Sequence, residues 1–171
     1  MGQRTRVLVV GGILLGLIAV GLVIGFVLIG GDSDGNGSSP SRTPTATDVR
    51  AQVEQAYLHY WDVYAAAMLN LDESHLPEVL AEDALANHRS QVEEQRRKNQ
   101  PVRIEVEHSY RITLVGDDKA SIEDNYINHS VRLDPRTKKP IESPPNTRVR
   151  RTYTLKKVNG TWKVTLIVGF R

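Results

Sequence analysis

The sequence VRRTYTLKKVNGTWKVTLIVGF, residues 149–170, contains the clearest structural signal in the chain. Apolar and polar residues alternate on both sides of the Asn159-Gly160 pair, and such a pair between two alternating runs predicts a tight β-hairpin. The apolar residues that share a face are Val149, Tyr153 and Leu155 before the turn, and Trp162, Val164, Leu166, Val168 and Phe170 after it. The stretch therefore predicts two antiparallel strands, each with one face directed toward a core.

Two further strands precede this hairpin. Apolar residues at alternate positions of 102–114 predict a long half-buried strand, and residues 116–118 supply a turn into a second strand over 119–133. The parity of the apolar residues shifts within that second strand, so we expect a β-bulge near residues 124–126. Residues 134–146 contain four prolines and are expected to form an exposed loop.

The helices are expected before the sheet. Apolar residues spaced three and four apart predict an amphipathic helix from Asp48 to about Asn70. A short helix with Pro77 in its first turn and a third helix from about Ala84 to Lys98 follow. Because these helices precede about four antiparallel strands, the predicted fold class is α+β, with about three helices packed on one face of a curved sheet.

An uncharged apolar run of 23 residues, Val7 to Ile29, lies near the N-terminus. A helix of this length spans roughly 34 Å, which is enough to cross a bilayer. A cleaved secretory signal is the alternative, but its apolar region is usually only about 7 to 15 residues long. Arg4 and Arg6 precede the run, so the positive-inside rule predicts a single-pass signal-anchor with a cytoplasmic N-terminus.

This interpretation divides the chain into four parts. Residues 1–6 are cytoplasmic, 7–29 are the transmembrane helix, 30–47 are a disordered linker rich in Gly, Ser, Pro and Thr, and 48–171 form an extracytoplasmic domain. The expected location is therefore the cell membrane, with the C-terminal domain outside the cytoplasm.

Composition excludes several kinds of chemistry. The chain contains no cysteine, which excludes disulfides, thiolate metal sites and cysteine nucleophiles. Its five histidines lack HExxH or any paired i,i+4 spacing, so we expect no metal and no other cofactor. The net charge is only +2, and the basic residues have no accompanying aromatic stacking platform, so we expect no nucleic-acid binding.

The final segment, YTLKKVNGTWKV at residues 153–164, resembles the nuclear-transport-factor-like superfamily, the cystatin-like α+β cone that includes ketosteroid isomerase and SnoaL-like proteins. The resemblance covers about residues 48–170 and is closest to the membrane-tethered bacterial accessory type. It implies a cone with an internal cavity, which the superfamily uses for catalysis in some members and for binding in others. Enzymes of this fold use acidic or tyrosine side chains that project into the cavity.

The resemblance directs attention to six candidate pocket residues: Tyr57, Tyr60, Tyr64, His88, Asp124 and Arg151. Arg151 has the parity of Val149 and Tyr153, so we expect it to point inward, where it could pair with Asp124 in a structural role or bind a polar ligand. Packing alone explains the tyrosines at helical spacing, and it explains His88 equally well. In an isomerase-like enzyme, Asp124 would be the general base and a tyrosine of the first helix the hydrogen-bond donor.

Charge differs between the two halves of the domain. Residues 48–100 have a net charge of −5, whereas residues 101–171 have a net charge of +6. A candidate basic docking surface consists of Arg136, Lys138, Lys139, Arg148, Arg150, Lys156 and Lys157. It is either an ordinary solvated face or a docking surface for an acidic partner or anionic lipid headgroups.

These observations favour a membrane-anchored extracytoplasmic accessory domain for protein interaction or ligand binding, with no catalysis expected. The alternative is a small-molecule isomerase or SnoaL-like enzyme that uses the cavity. The expected partners are the membrane itself, a protein of the cell envelope, a second copy of the chain and a small hydrophobic ligand.

Overall fold

The computed structural model describes residues 5–10 and 46–170. The elements in chain order are β1 (Thr5–Val10), α1 (Ala46–Asn70), α2 (Leu76–Val79), α3 (Glu82–Arg97), β2 (Val102–Arg103), β3 (Glu105–Val115), β4 (Lys119–Asn128), β5 (Val131–Arg132), β6 (Thr147–Val158) and β7 (Thr161–Phe170). Three helices therefore precede the main strands of the domain, and the predicted α+β class is confirmed.

The main sheet is fully antiparallel, with strand order β1-β3-β4-β6-β7. Strands β2 and β5 form a second, two-stranded sheet. The β6–β7 hairpin turns at Asn159 and Gly160, whose φ angles are +52° and +81°. The tight turn that best fits the twist of paired strands requires positive φ at both central residues, and the predicted hairpin is confirmed. The predicted common face of its second strand is wrong: a register shift turns Leu166 and Val168 away from the buried face of Trp162 and Val164.

Helix α1 packs its apolar stripe against the inner face of the sheet. Val53, Tyr57 and Tyr60 are almost completely buried, as the spacing of three and four residues predicts. They pack in one core with sheet residues such as Ile122 and Leu155. The long helix thereby sets the position of every aromatic side chain that it carries into the domain interior.

Helix α3 lies across one side of this core and is held near both ends. The backbone N–H of Ala81, just before α3, donates to the Val164 carbonyl of β7 at 3.0 Å. Near the other end, the Arg96 side chain donates through Nε to the Leu71 carbonyl at 2.9 Å. One end of α3 is thus fixed to the sheet and the other to the residue that follows α1.

The bulge expected near residues 124–126 is wrong. Strand β4 pairs with β6 in unbroken register from Lys119 to Asn128, and the register shifts lie between Ile112 and Leu114 in β3 and between Thr154 and Leu155 in β6. The inward parity of β4 continues through Asp124, because the carboxylate of this residue finds hydrogen-bond partners inside the domain. Because Asp124 is polar, the inward parity of β4 could not be followed past Ile122 in the sequence, and a bulge was wrongly expected there.

The start of the predicted transmembrane helix also differs from the expectation. Thr5–Val10 forms strand β1, which pairs with β3 from Thr5 opposite Tyr110 to Val10 opposite Glu105, and it raises the main sheet from four strands to five. The β-branched valines of this segment suit an extended backbone that completes an open sheet edge.

Residues 11–45, which include the rest of the predicted helix and most of the linker, lie outside the described residues. In the described ranges, no helix has both the length and the apolar character required to cross a bilayer.

Candidate functional site

A cavity of about 610 Å³ opens between α1, α3 and the inner face of the sheet. We call it the α1–α3 cavity. Its lining residues are Tyr60, Trp61 and Tyr64 from α1, Ala84, Asn87, His88, Ser90 and Gln91 from α3, and Tyr126, Arg151, Tyr153, Ile167 and Gly169 from the sheet. The volume lies within the range of sites that bind small molecules.

The six candidate pocket residues divide between the cavity and the core behind it. Tyr60, Tyr64, His88 and Arg151 all line the α1–α3 cavity. Tyr57 and Asp124 do not line it and are completely buried. The fold thus brings four of the six candidates to one site, and the other two belong to a separate buried network.

His88 and Tyr60 form a hydrogen-bonded pair in the cavity wall. The His88 Nδ1 atom lies 2.8 Å from the Ala84 carbonyl, which can only accept, so Nδ1 carries the proton. In the neutral ring, Nε2 then accepts from the Tyr60 hydroxyl at 2.9 Å. Burial lowers the pKa of His88 and raises the pKa of Tyr60 well above its usual value. Both groups are therefore uncharged at neutral pH.

The α1 side of the cavity is a wall of aromatic rings. The Tyr60 and Tyr64 rings are nearly parallel, with an interplanar angle of 5° and centroids 6.1 Å apart. The Tyr64 hydroxyl donates to Oε1 of Gln91 on α3 at 2.9 Å, which connects the two helices across the cavity. Burial raises the pKa of Tyr64, so its phenol also remains protonated.

Arg151 lies on the sheet side of the cavity, opposite Gly169 in the β6–β7 register. A Cβ atom placed on Gly169 would lie 1.5 Å from Nη1 and 2.7 Å from Cζ of Arg151. The guanidinium therefore occupies the space that glycine leaves empty. It also lies beside Tyr126: burial is the main influence and raises the pKa of this phenol, while the Arg151 charge acts in the opposite direction.

Asp124 is the centre of the buried network. Its Oδ2 atom lies 2.6 Å from Nδ1 of His108 and accepts a hydrogen bond from the Tyr57 hydroxyl at 2.8 Å. Its Oδ1 accepts from the Ser109 backbone N–H at 3.1 Å. Although Asp124 and Arg151 are opposite each other in the β4–β6 register, the side chain that Asp124 contacts at 2.6 Å is His108. The Asp124–Arg151 pair anticipated from parity is thus replaced by an Asp124–His108 pair.

Two aromatic residues separate this network from the cavity. Trp61 and Tyr126 line the cavity, and their ring centroids lie 4.8 Å and 5.9 Å from that of His108. His108 is completely buried, and its Nε2 atom has no hydrogen-bond partner in the described part of the chain. A ligand in the cavity would therefore meet the aromatic wall before it reached the Asp124–His108 pair.

Sequence reasoning missed His108, Tyr126 and Gln91 as members of these sites. His108 has the same parity as Val106 and Tyr110 on β3, and all three are buried, so strand alternation contained the signal. Tyr126 was not recognised as an inward residue because a bulge was wrongly expected at residues 124–126. Gln91 is exposed on α3, and only the three-dimensional packing brings it to Tyr64.

The candidate basic docking surface does not form one patch. Arg136, Lys138 and Lys139 are exposed in the loop between β5 and β6, whereas Lys156 and Lys157 lie at the far end of β6. Arg148 and Lys156 are eight residues apart on this strand, which corresponds to about 26 Å. Lys156 pairs with Glu82 at 2.9 Å, Arg150 lies 3.8 Å from Glu123, and Lys157 lies over the Trp162 ring.

Among residues 5–10 and 46–170, no cluster of three or more His, Asp or Glu side chains could hold a metal ion. The imidazole and carboxylate groups of the interior are engaged with each other or with tyrosine hydroxyls instead. The chemistry available to the cavity is therefore that of its aromatic rings, its neutral polar groups and Arg151.

No protein-family model matches the chain, and no curated protein matches its sequence. Among solved structures, the intermembrane-space region of the chloroplast protein ARC6 has a TM-score of 0.59 at 17% identity, over 72% of this chain and 96% of that one. A candidate scytalone dehydratase from Novosphingobium aromaticivorans has a TM-score of 0.47 at 14% identity, over 73% and 89% of the two chains. The similarity to ARC6 and the observed topology agree with the resemblance seen in the sequence: the described domain has the nuclear-transport-factor-like α+β cone fold.

Proposed function

We propose that this chain is a membrane-anchored accessory protein whose cone domain, outside the cytoplasm, binds a small molecule in the α1–α3 cavity without transforming it. One observation carries the proposal. The cavity is open to a ligand, whereas the Asp124–His108 pair, which has the residue types of a general acid–base pair, is sealed behind Trp61 and Tyr126.

The residues that face a ligand support binding more than catalysis. A general base must come within hydrogen-bond reach of the proton that it removes. In the described part of the chain, His88 is the only imidazole that lines the cavity, and both of its nitrogens are engaged, Nδ1 with Ala84 and Nε2 with Tyr60. The tyrosine hydroxyls are poor acids because burial raises their pKa values. What remains is a set of groups suited to orienting a ligand.

The location outside the cytoplasm rests on the apolar run of residues 7–29 and on the arginines that precede it. It requires Thr5–Val10 to leave strand β3 in the membrane-bound protein, because a single span would otherwise place β1 and the rest of its sheet on opposite sides of the bilayer. The ARC6 structure of similar fold is named as an intermembrane-space region, so a cone of this kind occurs in a compartment bounded by membranes. Both observations support a domain that is held near a membrane surface by its N-terminal segment.

The test is to purify the full-length protein from its native membranes, denature it and identify the small molecules released. Two tryptophan variants on α3 provide a matched pair: Asn87→Trp places a bulky ring in the cavity lining, whereas Arg89→Trp places it outside the lining. We expect a compound that is released by the wild type and by Arg89→Trp but not by Asn87→Trp. If no compound shows this pattern, the ligand-binding function is rejected.

An enzyme of the isomerase or SnoaL-like type is the second candidate, and the free Nε2 atom of His108 is the observation that favours it. Paired with Asp124 through Nδ1, this nitrogen has the arrangement of an oriented base. The candidate requires Trp61 or Tyr126 to move when substrate binds. If Asp124→Asn changes neither the affinity for the ligand nor its turnover, the enzymatic alternative is excluded.

We also propose that a second copy of the chain, or an envelope protein, docks on the outer face of the sheet. Leu114, Leu166 and Val168 are exposed on that face by 53%, 41% and 43%. β7 is an edge strand of the described sheet, and its border is contacted by Ala81 at Val164. Exposed apolar side chains on one sheet face are typical of interaction surfaces.

A further inference from the structure

Among the residues that the structure describes, one cation in the α1–α3 cavity has no anionic partner. The cavity lining includes Arg151 but no Asp or Glu among the residues that the structure describes. Within the same described ranges, none of the ion pairs involves Arg151. Asp124, its neighbour across the strands, already binds His108, Tyr57 and the Ser109 backbone.

The sheet determines where the Arg151 guanidinium lies. Arg151 projects from the inward face of β6, and its guanidinium lies across Gly169, where any side chain would collide with it. A planar guanidinium held in one place can form two parallel hydrogen bonds to a carboxylate. Glycine at residue 169 therefore provides the space for a fixed anion-binding group.

The other ionisable groups of the cavity do not compensate this charge. His88 is neutral because burial lowers its pKa, and Tyr60 and Tyr64 keep their protons because burial raises theirs. Asn87, Ser90 and Gln91 add only neutral polar groups. A single positive charge in a partly enclosed site attracts a ligand with a single negative charge.

The opposite wall indicates the shape of the rest of the ligand. Tyr60, Trp61 and Tyr64 line the cavity, and of these three rings the Tyr64 ring is the one that is partly exposed to it. Aromatic side chains bind planar rings by offset stacking and by edge contacts. A volume of about 610 Å³ accommodates a body of one to three fused rings.

We infer that the α1–α3 cavity binds an aromatic carboxylate, with the acid group on Arg151 and the ring system against the partly exposed Tyr64 ring. This inference rests on the proposed ligand-binding function and names the chemical class of the ligand. It assigns Arg151 as the group that selects for negative charge and Gly169 as the residue that keeps this group in position.

The experiment measures binding of 2-naphthoate, and of its neutral analogue 2-naphthamide, to the full-length protein in nanodiscs of zwitterionic lipid. Isothermal titration with empty nanodiscs as reference gives each affinity. We expect naphthoate to bind at least about tenfold more tightly than naphthamide, because a charge-assisted hydrogen bond adds to the shared ring contacts. Arg151→Met should weaken naphthoate binding by about tenfold to a hundredfold and change naphthamide binding little.

Two further variants control for folding and for general charge. Gly169→Ala keeps the arginine but displaces its guanidinium, so it should also weaken naphthoate binding, even if Arg151→Met does not fold. Arg148→Met removes an exposed arginine of the same strand and should change neither affinity.

Equal affinities for the two probes in the wild type, or naphthoate binding that survives both Arg151→Met and Gly169→Ala, would overturn the assignment to a carboxylate. Failure of both probes would overturn the aromatic acid class as well. In each case, a native compound lost only from Asn87→Trp would still support the proposed ligand-binding function. The two conclusions can therefore fail separately.

Discussion

The Nδ1 atom of His108 and the Oδ2 atom of Asp124 lie 2.6 Å apart in a hydrogen bond, and neither side chain is exposed to solvent. The same carboxylate accepts hydrogen bonds from Tyr57 and from the Ser109 backbone. One acceptor on β4 thus satisfies donors from α1 and β3, and the network joins the long helix to the sheet. Several buried donors depend on this one residue.

Removing that acceptor should destabilise the domain strongly. Asp124→Ala leaves the Tyr57 hydroxyl, the His108 ring and the Ser109 N–H buried without their acceptor, so we expect the free energy of unfolding to fall by about 3 to 5 kcal/mol. Urea denaturation of the full-length protein measures this change. Glu123→Ala, at the next residue, removes only exposed ion pairs and should cost less than about 1 kcal/mol. Similar losses in the two variants would contradict the central role of Asp124.

His88 should make the stability of the domain depend on pH. Its pKa in the folded state lies below the ordinary 6.5 because the ring is buried, so the unfolded chain binds a proton that the folded chain does not. The free energy of unfolding should therefore fall as the pH drops from 7 to 5, by at most about 1.4 kcal/mol per pH unit for this group.

The His88→Gln variant isolates this contribution. It should lose less stability than the wild type between pH 7 and pH 5 in paired denaturant titrations. His75 acts in the opposite direction, because its hydrogen bond with Glu78 raises its pKa, but it is present in both proteins and cancels in the difference. Parallel stability curves for the two proteins would show that His88 is not held neutral in the folded state.

Self-association through the outer sheet face can be tested by cross-linking, because the chain has no native cysteine. If a second copy covers Leu166 and Val168, Val168→Cys should give a disulfide-linked dimer in membranes under mild oxidation. The control is Gln55→Cys, which lies on the exposed side of α1 and should stay monomeric. Equal dimer yields from the two variants, or none from either, would exclude this face as the dimer contact.

Membrane anchoring predicts resistance to alkaline extraction. The full-length protein should stay in the membrane pellet after carbonate treatment. Changing both Leu17 and Ile18 to arginine should release it, since each arginine at the centre of a span costs about 2.5 to 3.5 kcal/mol. Ile141→Arg, at an exposed position of the β5–β6 loop, should leave the extraction profile unchanged. Extraction of the wild type at high pH would contradict a transmembrane segment.

Local chemistry determined which parts of the fold could be predicted from the sequence. The β6–β7 hairpin followed from Asn159-Gly160, and α1 followed from the spacing of Val53, Tyr57 and Tyr60. The bulge was wrongly expected because the apolar residues of one parity end at Ile122, although Asp124 continues this parity inward and is satisfied. Strand β1 was missed because a long apolar run is read as a helix before its pairing with a distant strand is known.

The candidate site, like the fold, could be predicted only in part from the sequence. The resemblance to the cone fold selected Tyr60, Tyr64, His88 and Arg151 among its candidates, and the fold brings these four to one cavity. The choice of Asp124's partner depended on geometry across β3 and β4, which the sequence alone does not provide. The role of Gly169 could not be predicted either, because it depends on the Arg151 guanidinium that lies across this residue in the folded chain.

The attachment of α3 near both ends has a consequence for the speed of binding. Because Ala81 and Arg96 hold the helix to β7 and to the end of α1, the cavity keeps its shape without a ligand. Passage into it then requires rotation of exposed side chains such as Gln91, which takes place in picoseconds to nanoseconds, and not displacement of a helix, which takes microseconds or longer. Association should therefore be limited by diffusion of the ligand to the mouth of the cavity.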